Sequence, residues 1–295
     1  MTFREGIEID TSTTSTSGGG RGPGRGIAVG GGVGGLLILV VALFLGVDPS
    51  TVIPQQQIDT GGVATPGFDT SQCKTAEDAN NIVQCRVIAT GNSVDAVWQQ
   101  LLPGYKRPRM EIFTNQIQTA CGPATSDVGP FYCPGDHTAY FDVGFFDVLR
   151  DQFGSSGGPL AQEYVVAHEY GHHVQNLEGT LVRAQRDPEG ATGGGVRTEL
   201  QADCYAGIWA HYATITKQES TGVPFLEPLS DKDIADALSA AASVGDDRIQ
   251  RAATGRVNPE AWTHGSSAQR QKWFTEGYRT GDIASCDTFA TNDLG

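Results

Sequence analysis

Positive charge is scarce in this chain: 20 Lys and Arg stand against 34 Asp and Glu, for a net charge of -14 and a pI near 4.7. Proteins hold polyanions by neutralising phosphates with Lys and Arg, so nucleic acid is excluded as a partner. None of the six cysteines forms a Cys-x-x-Cys pair, which removes zinc ribbons and thioredoxin-like redox sites. There is no internal repeat, no charge within residues 27–47, and no Lys or Arg between Arg25 and Lys74.

The cysteines that are present stand at 73, 85, 121, 133, 204 and 286. An even count at wide spacing reads as disulfides in an oxidising compartment. The simplest pairing joins neighbours, Cys73 with Cys85, Cys121 with Cys133, and Cys204 with Cys286. Each short loop so closed is worth about 3 kcal/mol on the chain-entropy account.

The uncharged run from Ile27 to Val47, "IAVGGGVGGLLILVVALFLGV", spans roughly 30 Å as a helix, the thickness of a bilayer's hydrocarbon core. It reads as a single transmembrane helix. Arg4, Arg21 and Arg25 precede it, so the positive-inside bias puts the N-terminus in the cytoplasm and the larger C-terminal part outside the cell membrane. Residues 1–26, rich in Gly, Ser and Thr, read as a disordered tail, and 48–72, with Pro49, Pro54, Pro66 and a Gln run, as a flexible linker. The globular part is then 73–295.

Within that part, "TAEDANNIVQCRVIA" reads as a helix capped by Thr75, and "SVDAVWQQLL" as a second one capped by Ser93. Short aromatic or β-branched runs, "RMEIFT", "GPFYC" and "TAYFD", separated by turn residues, read as a small sheet. "FFDVLRDQF" is a helix. "GPLAQEYVVAHEYGHHVQNLEG" is a long one, with Pro159 at its start and Gly179 at its end. A flexible connection (187–197) leads to "TELQADCYAGIWAHYA". A helix with a Ser230/Asp233 capping box follows, and a last one begins near "GSSAQRQKWFTEGY". The fold class expected is α+β, mostly helical with a small sheet.

The chemistry concentrates in "HEYGHH". His168 and His172 are four residues apart and share one helix face, where two imidazoles can hold one ion. Glu169 beside them occupies the general-base position of the His-Glu-x-x-His motif. Hydrolytic zinc needs three protein ligands and an open position. Glu178, six residues after His172, is one candidate for the third, but Gln175 stands where such an arrangement needs a turning glycine. The better candidate is Glu199, whose helix also carries Asp203 four residues on, placed to accept a hydrogen bond from the other nitrogen of a ligating histidine. His264, just before a helix start, is a candidate for stabilising a developing oxyanion. His173 reads as a supporting or surface group, His211 as core or surface, and His137 as an exposed turn residue.

Four blocks, "FYCPGDHTAYFD", "VVAHEYGHHVQ", "ELQADCYAGIWAH" and "THGSSAQRQKWFTEGY", in that order behind an N-terminal apolar run, resemble the bacterial putative neutral zinc metallopeptidase family. The resemblance covers nearly all of 73–295, and the second helix also resembles the third-ligand helix of gluzincins. It implies a zincin-like domain with Zn2+ held by His168, His172 and Glu199, and Glu169 as base. The expected activity is hydrolysis of peptide or protein substrates in the cell envelope by a membrane-anchored peptidase. A cell-wall peptide amidase with the same site, and a non-catalytic envelope module that uses zinc for rigidity, stand as alternatives.

Overall fold

In the computed structural model, the structure describes residues 3–18, 67–186 and 190–295. Strand β1 (Thr14–Gly18) is followed by helices α1 (Ala76–Asn81) and α2 (Val83–Leu101). Strands β2 (Arg109–Thr114), β3 (Gln116–Thr119), β4 (Gly122–Thr125), β5 (Phe131–Cys133) and β6 (Thr138–Asp142) come next. Helices α3 (Phe145–Asp151), α4 (Pro159–Glu178), α5 (Gly194–Tyr212), α6 (Asp231–Ser243), α7 (Asp246–Thr254) and α8 (Ser267–Thr280) complete the order. This mixture of helices and small sheets is α+β. The main sheet runs β1-β2-β6-β5; β1 and β6 are parallel to β2, and β5 is antiparallel to β6. β3 and β4 form a separate hairpin.

The helix boundaries follow local chemistry. A capping box between Thr75 and Asp78 starts α1, and the extended backbone at Ile82 (φ -115°, ψ 118°) separates it from α2. Pro159 opens α4, and Gly179, with φ 70°, closes it in the left-handed conformation that glycine adopts without a Cβ clash. Ser230 with Asp233 and Ser266 with Gln269 form the boxes of α6 and α8. One expected boundary is absent: Ser93 starts no helix but lies inside α2, where its hydroxyl accepts from Trp209 Nε1 at 3.0 Å. The connection expected over 187–197 is shorter, because α5 begins at Gly194. Helix α7 lies in a stretch with no helix expected.

α4 and α5 carry the site and are fixed from three sides. α4 packs on α2, where Gly91 faces the Tyr170 hydroxyl; α5 packs on α8, where Gly207 and Gly277 let the two backbones touch. A Cβ on Gly277 would stand 1.9 Å from the Cys204 carbonyl oxygen, so any larger residue forces the helices apart. Trp98, Trp209, Tyr164, Tyr170 and Phe274 fill the space between them. All three disulfides join the pairs expected, and Cys204–Cys286 ties α5 to the C-terminal segment.

Residues 3–18 require a correction. Expected as part of a disordered tail, they pack into the domain: Phe3 and Ile7 are each 2% exposed in the main core, and β1 pairs along the whole register from Thr14–Met110 to Gly18–Thr114. The low-complexity sequence hides this because the strand is held largely by polar groups. Ser15 and Ser17 hydroxyls both donate to the Glu111 carboxylate, the latter at 2.8 Å. The folded body therefore does not start at residue 73. Residues 67–72, placed in the linker, are described too, with a single 3-10 turn at Thr70–Gln72. The candidate transmembrane helix 27–47 and the rest of the linker lie outside the described residues. Among those described, no helix is long and apolar enough to cross a membrane.

Candidate metal centre

Gly171 lies on α4 between the two motif histidines in sequence and faces α5. A Cβ there would lie 3.1 Å from both the Cα and the carbonyl oxygen of Ala202. The missing side chain lets α4 and α5 approach closely enough for Glu199 and Asp203, which flank Ala202, to reach the imidazoles.

Each imidazole is oriented through its Nδ1. His168 Nδ1 lies 2.9 Å from Asp203 Oδ1; the carboxylate can only accept, so Nδ1 holds the proton and Nε2 turns to Glu199 Oε2 at 3.2 Å. His172 Nδ1 lies 2.8 Å from Gln175 Oε1. The Gln175 amide nitrogen donates to Thr198 O at 2.7 Å and to Gln201 Oε1 at 3.0 Å, which fixes its oxygen towards the histidine. His172 Nε2 thereby faces Glu199 Oε1 at 3.4 Å. The ligand atoms of His168, His172 and Glu199 all lie within 4.8 Å of one another, and all three residues are buried. Two imidazoles and one carboxylate, converging with the Nδ1 atoms already engaged, form a donor set that fits Zn2+.

Behind this set stands a charged network that the sequence reading did not find. Arg270 on α8 donates from Nε to Asp203 Oδ2 at 2.8 Å and from Nη2 to Asp203 Oδ1 at 3.0 Å, and its Nη2 also reaches the Tyr164 hydroxyl at 3.2 Å. Tyr164 donates to Asp203 Oδ1. Burial works against ionising Asp203, but Arg270 and His168 outweigh it and hold its carboxyl below the usual range. The same contest is won at Glu199 by His172 and His168, which keep its carboxyl well below an ordinary glutamate. Glu169, 8% exposed, is different: burial pushes its carboxyl up against the pull of His168 and His172, the direction expected of a proton acceptor in a dry site.

His264 joins the group from the far side. It lines the same cavity as His168, Glu169, His172 and Glu199, and its Nδ1 lies 3.4 Å from Asp246 Oδ1. Asp246, the first residue of α7, also accepts from the backbone amides of Thr263 and His264, each at 2.7 Å, and of Gly265 at 3.0 Å. Burial alone disfavours a charged His264, and the Asp246 carboxylate reverses the balance, raising its pKa.

The other candidates are elsewhere. Glu178 accepts from the Tyr205 hydroxyl at 2.7 Å and is not among the grouped ligands. His173 is buried, donating from Nε2 to Lys106 O at 2.6 Å and accepting from the Tyr132 hydroxyl at 2.9 Å; burial lowers its pKa to about 4. His211 donates to Tyr278 O at 2.8 Å, and His137 is exposed with φ 54°. The groups missed were Tyr164, Gln175, Asp246 and Arg270. In the sequence Gln175 marks only the lack of a turning glycine, and Arg270 lies inside the last of the four blocks with no pattern of its own. Nothing in the spacing of single residues spread over three separate helices could have joined them.

Over residues 2–289 the sequence matches the family described as "putative neutral zinc metallopeptidase". The chain belongs to this family. Within the neutral zinc metallopeptidase family it is 70% identical, over the full length of both chains, to the uncharacterized protein Rv2575 of Mycobacterium tuberculosis (strain ATCC 25618 / H37Rv) and to Mb2605 of Mycobacterium bovis. It is 37% identical to the uncharacterized protein YpfJ of Escherichia coli (strain K12) over 267 residues, 88% of this chain and 87% of YpfJ. No solved structure matches it. The family and the His168, His172 and Glu199 cluster agree on Zn2+ as the cofactor.

Proposed function

We propose that the protein is a zinc-dependent, zincin-like peptidase that hydrolyses peptide bonds with Glu169 as general base. The observation that carries this reading is the convergence of His168, His172 and Glu199 on one point of a cavity whose wall also presents Glu169 and His264. A Zn2+ held by the three ligands would polarise the scissile carbonyl and acidify water. Glu169, with its raised proton affinity, takes the proton from the attacking water and returns it to the leaving amine. His264, steadied by Asp246, is aimed into the cavity to donate a hydrogen bond to the carbonyl oxygen as negative charge develops there. Asp203 keeps the His168 ring from turning, backed by Arg270 and Tyr164, which also reach the cavity wall.

Substrate placement is supported by β5. It is an edge strand of the main sheet, and Gly129 to Tyr132 line the cavity, so an extended peptide can add alongside it. Phe145, Phe153, Val165, Val244 and Ile249 line the same cavity and suit a large apolar side chain next to the scissile bond. That lining favours a protein or peptide substrate over a polar cell-wall peptide. A role for zinc in rigidity alone leaves the buried, strained-in-charge Glu169 and the Asp246–His264 pair without purpose.

The test uses labelled peptides that carry a Phe, Leu or Asp on either side of the scissile bond, with the full-length protein, Glu169→Gln and His264→Ala. The reading requires Phe or Leu peptides to be cut in preference to Asp peptides. Glu169→Gln should lose about 10²–10⁴-fold in kcat with zinc content unchanged, and His264→Ala about 10²-fold with KM little altered. Unimpaired cleavage by Glu169→Gln would refute the assignment of the base, and stoichiometric zinc with no cleavage of any peptide would favour the structural role.

A further inference from the structure

Residues 3–18 precede the apolar run 27–47, yet their packing partners follow it. The amide of Phe3 donates to Asn80 Oδ1 at 2.8 Å, that of Arg4 to Phe225 O at 2.9 Å, and that of Ile9 to Lys74 O at 2.9 Å. Glu8 and Gln218 exchange two bonds, with Glu8 N to Gln218 Oε1 at 2.9 Å and Gln218 Nε2 to Glu8 O at 2.6 Å. Asp10 and Asn92 do the same at 2.8 and 3.0 Å. Arg107 joins Asp10 at 2.7 Å to the buried Asp95 at 2.8 Å. β1 then pairs with β2, an interior strand of the sheet once β1 is in place.

The chain rejoins the domain where it left. Gly67 lies so close to Thr16 that a Cβ on it would stand 2.6 Å from Thr16 Oγ1 and 2.8 Å from its carbonyl oxygen. Thr16 Oγ1 donates to Phe68 O at 2.8 Å. The chain that resumes at Gly67 therefore lies against Thr16, two residues before the described N-terminal segment ends at Gly18.

Paired strands lie about 4.8 Å apart, whereas a bilayer's hydrocarbon core is about 30 Å thick. The run 27–47 is long enough to cross once. The polar, proline-interrupted sequence of 48–66 has no apolar run with which to cross back, and an extended polar backbone is not tolerated in hydrocarbon. Arg4, one of the three arginines that argue for a cytoplasmic N-terminus, is itself paired with Glu227 of the domain at 2.9 Å.

We infer that residues 3–18 and 67–295 stand on the same side of any membrane the protein meets, so that the run 27–47 does not carry the chain across it in the assembled enzyme. A single crossing and a docked β1 exclude one another. This conclusion rests on the packing of residues 3–18 and not on the proposed activity.

The native cysteines suit a labelling test, since all six are in disulfides and none is free to react. Ser12 and Glu260 are both exposed, one before the apolar run and one in the domain. Ser12→Cys and Glu260→Cys variants of the full-length protein are expressed in cells and treated with a membrane-impermeant maleimide before and after lysis. The inference expects both positions to react alike, either both in intact cells or both only after lysis. Reaction of one position in intact cells and of the other only after lysis overturns it. A Ser15→Cys/Glu111→Cys pair, opposite one another in the β1–β2 register, checks docking in the same membranes. A 15–111 cross-linked peptide is expected by mass spectrometry, and its absence alongside split labelling would identify the inserted, undocked form as the resident one.

Discussion

The metal centre and the N-terminal edge are both held by groups distant in sequence, but they announce themselves differently. The centre is built from two helices that each carry a local pattern, His168 with His172 and Glu199 with Asp203, both four residues apart on one face. The N-terminal edge has no local pattern. "TSTTSTSG" shows no alternation of apolar and polar residues, and becomes a strand only because Glu111 and the β2 backbone meet it. A spacing rule reads chemistry that one element contains. It does not read structure that exists only between two elements.

The sharpest way to break this comparison is to attack what the centre hides between elements. Asp203→Ala removes the acceptor of His168 and leaves Arg270, 3% exposed, with no full counter-charge. Breaking a buried pair from one side costs about 3–5 kcal/mol, and loss of the group that orients a ligand lowers metal affinity about 10–100-fold. Thermal melts with and without zinc, together with a competition titration against a chelator, measure both. If Asp203→Ala bound zinc like the parent protein, the orienting role assigned to Asp203 would be wrong.

A smaller effect is expected at the edge, and of one kind only. Phe3→Ala empties a core position about as deep as any in the domain, at a cost of roughly 3 kcal/mol. Zinc affinity should stay the same, because the bonds described for residues 3–18 run to Phe68, Lys74, α1, α2, Arg107, β2 and residues 218–227. The melt should also remain a single transition if the N-terminal segment belongs to the cooperative body. An early, separate transition that releases the segment while the domain stays folded would instead make it an appendage, and would weaken the argument that it fixes the chain on one side of a membrane.

These two regions also mark how far the sequence could be read. The N-cap at Thr75, the capping box at Ser230, Pro159 and Gly179 around α4, and the strands at 109–114 and 138–142 were legible because the signals sit within a few residues of what they determine. The disulfides were legible because nearest-neighbour pairing happened to be the spatial one. Ser93 misled, since a good capping residue in sequence is equally good as an acceptor for Trp209 inside a helix. Arg270 and Asp246 carried no signal, because a single charged residue gains its meaning from partners 67 and 18 positions away.

The mildest prediction concerns a carboxyl on the motif helix that the centre does not use. Glu163 is 1% exposed, its Oε2 has no hydrogen-bond partner among the described residues, and burial pushes its pKa up to about 8 despite the nearby Arg86. A carboxyl whose pKa is higher folded than unfolded takes up a proton on folding. Its contribution is therefore most favourable below the unfolded value, near 4.5, and is lost as pH rises through the folded value near 8. Glu163→Gln keeps the shape and removes the titration, so the variant and the parent should melt alike at pH 4–4.5. By pH 9 the variant should be the more stable: the full shift is worth about 5 kcal/mol, which relaxation and water entry around the ionised carboxyl cut to on the order of 2 kcal/mol, about 4–8 °C in Tm for a domain of this size. Melts at several pH values with zinc saturating separate this from any change at the centre. A variant that is less stable than the parent at pH 9 would mean that Glu163 is ionised there and paired with Arg86, and that α4 is held by a buried ion pair instead of a neutral acid.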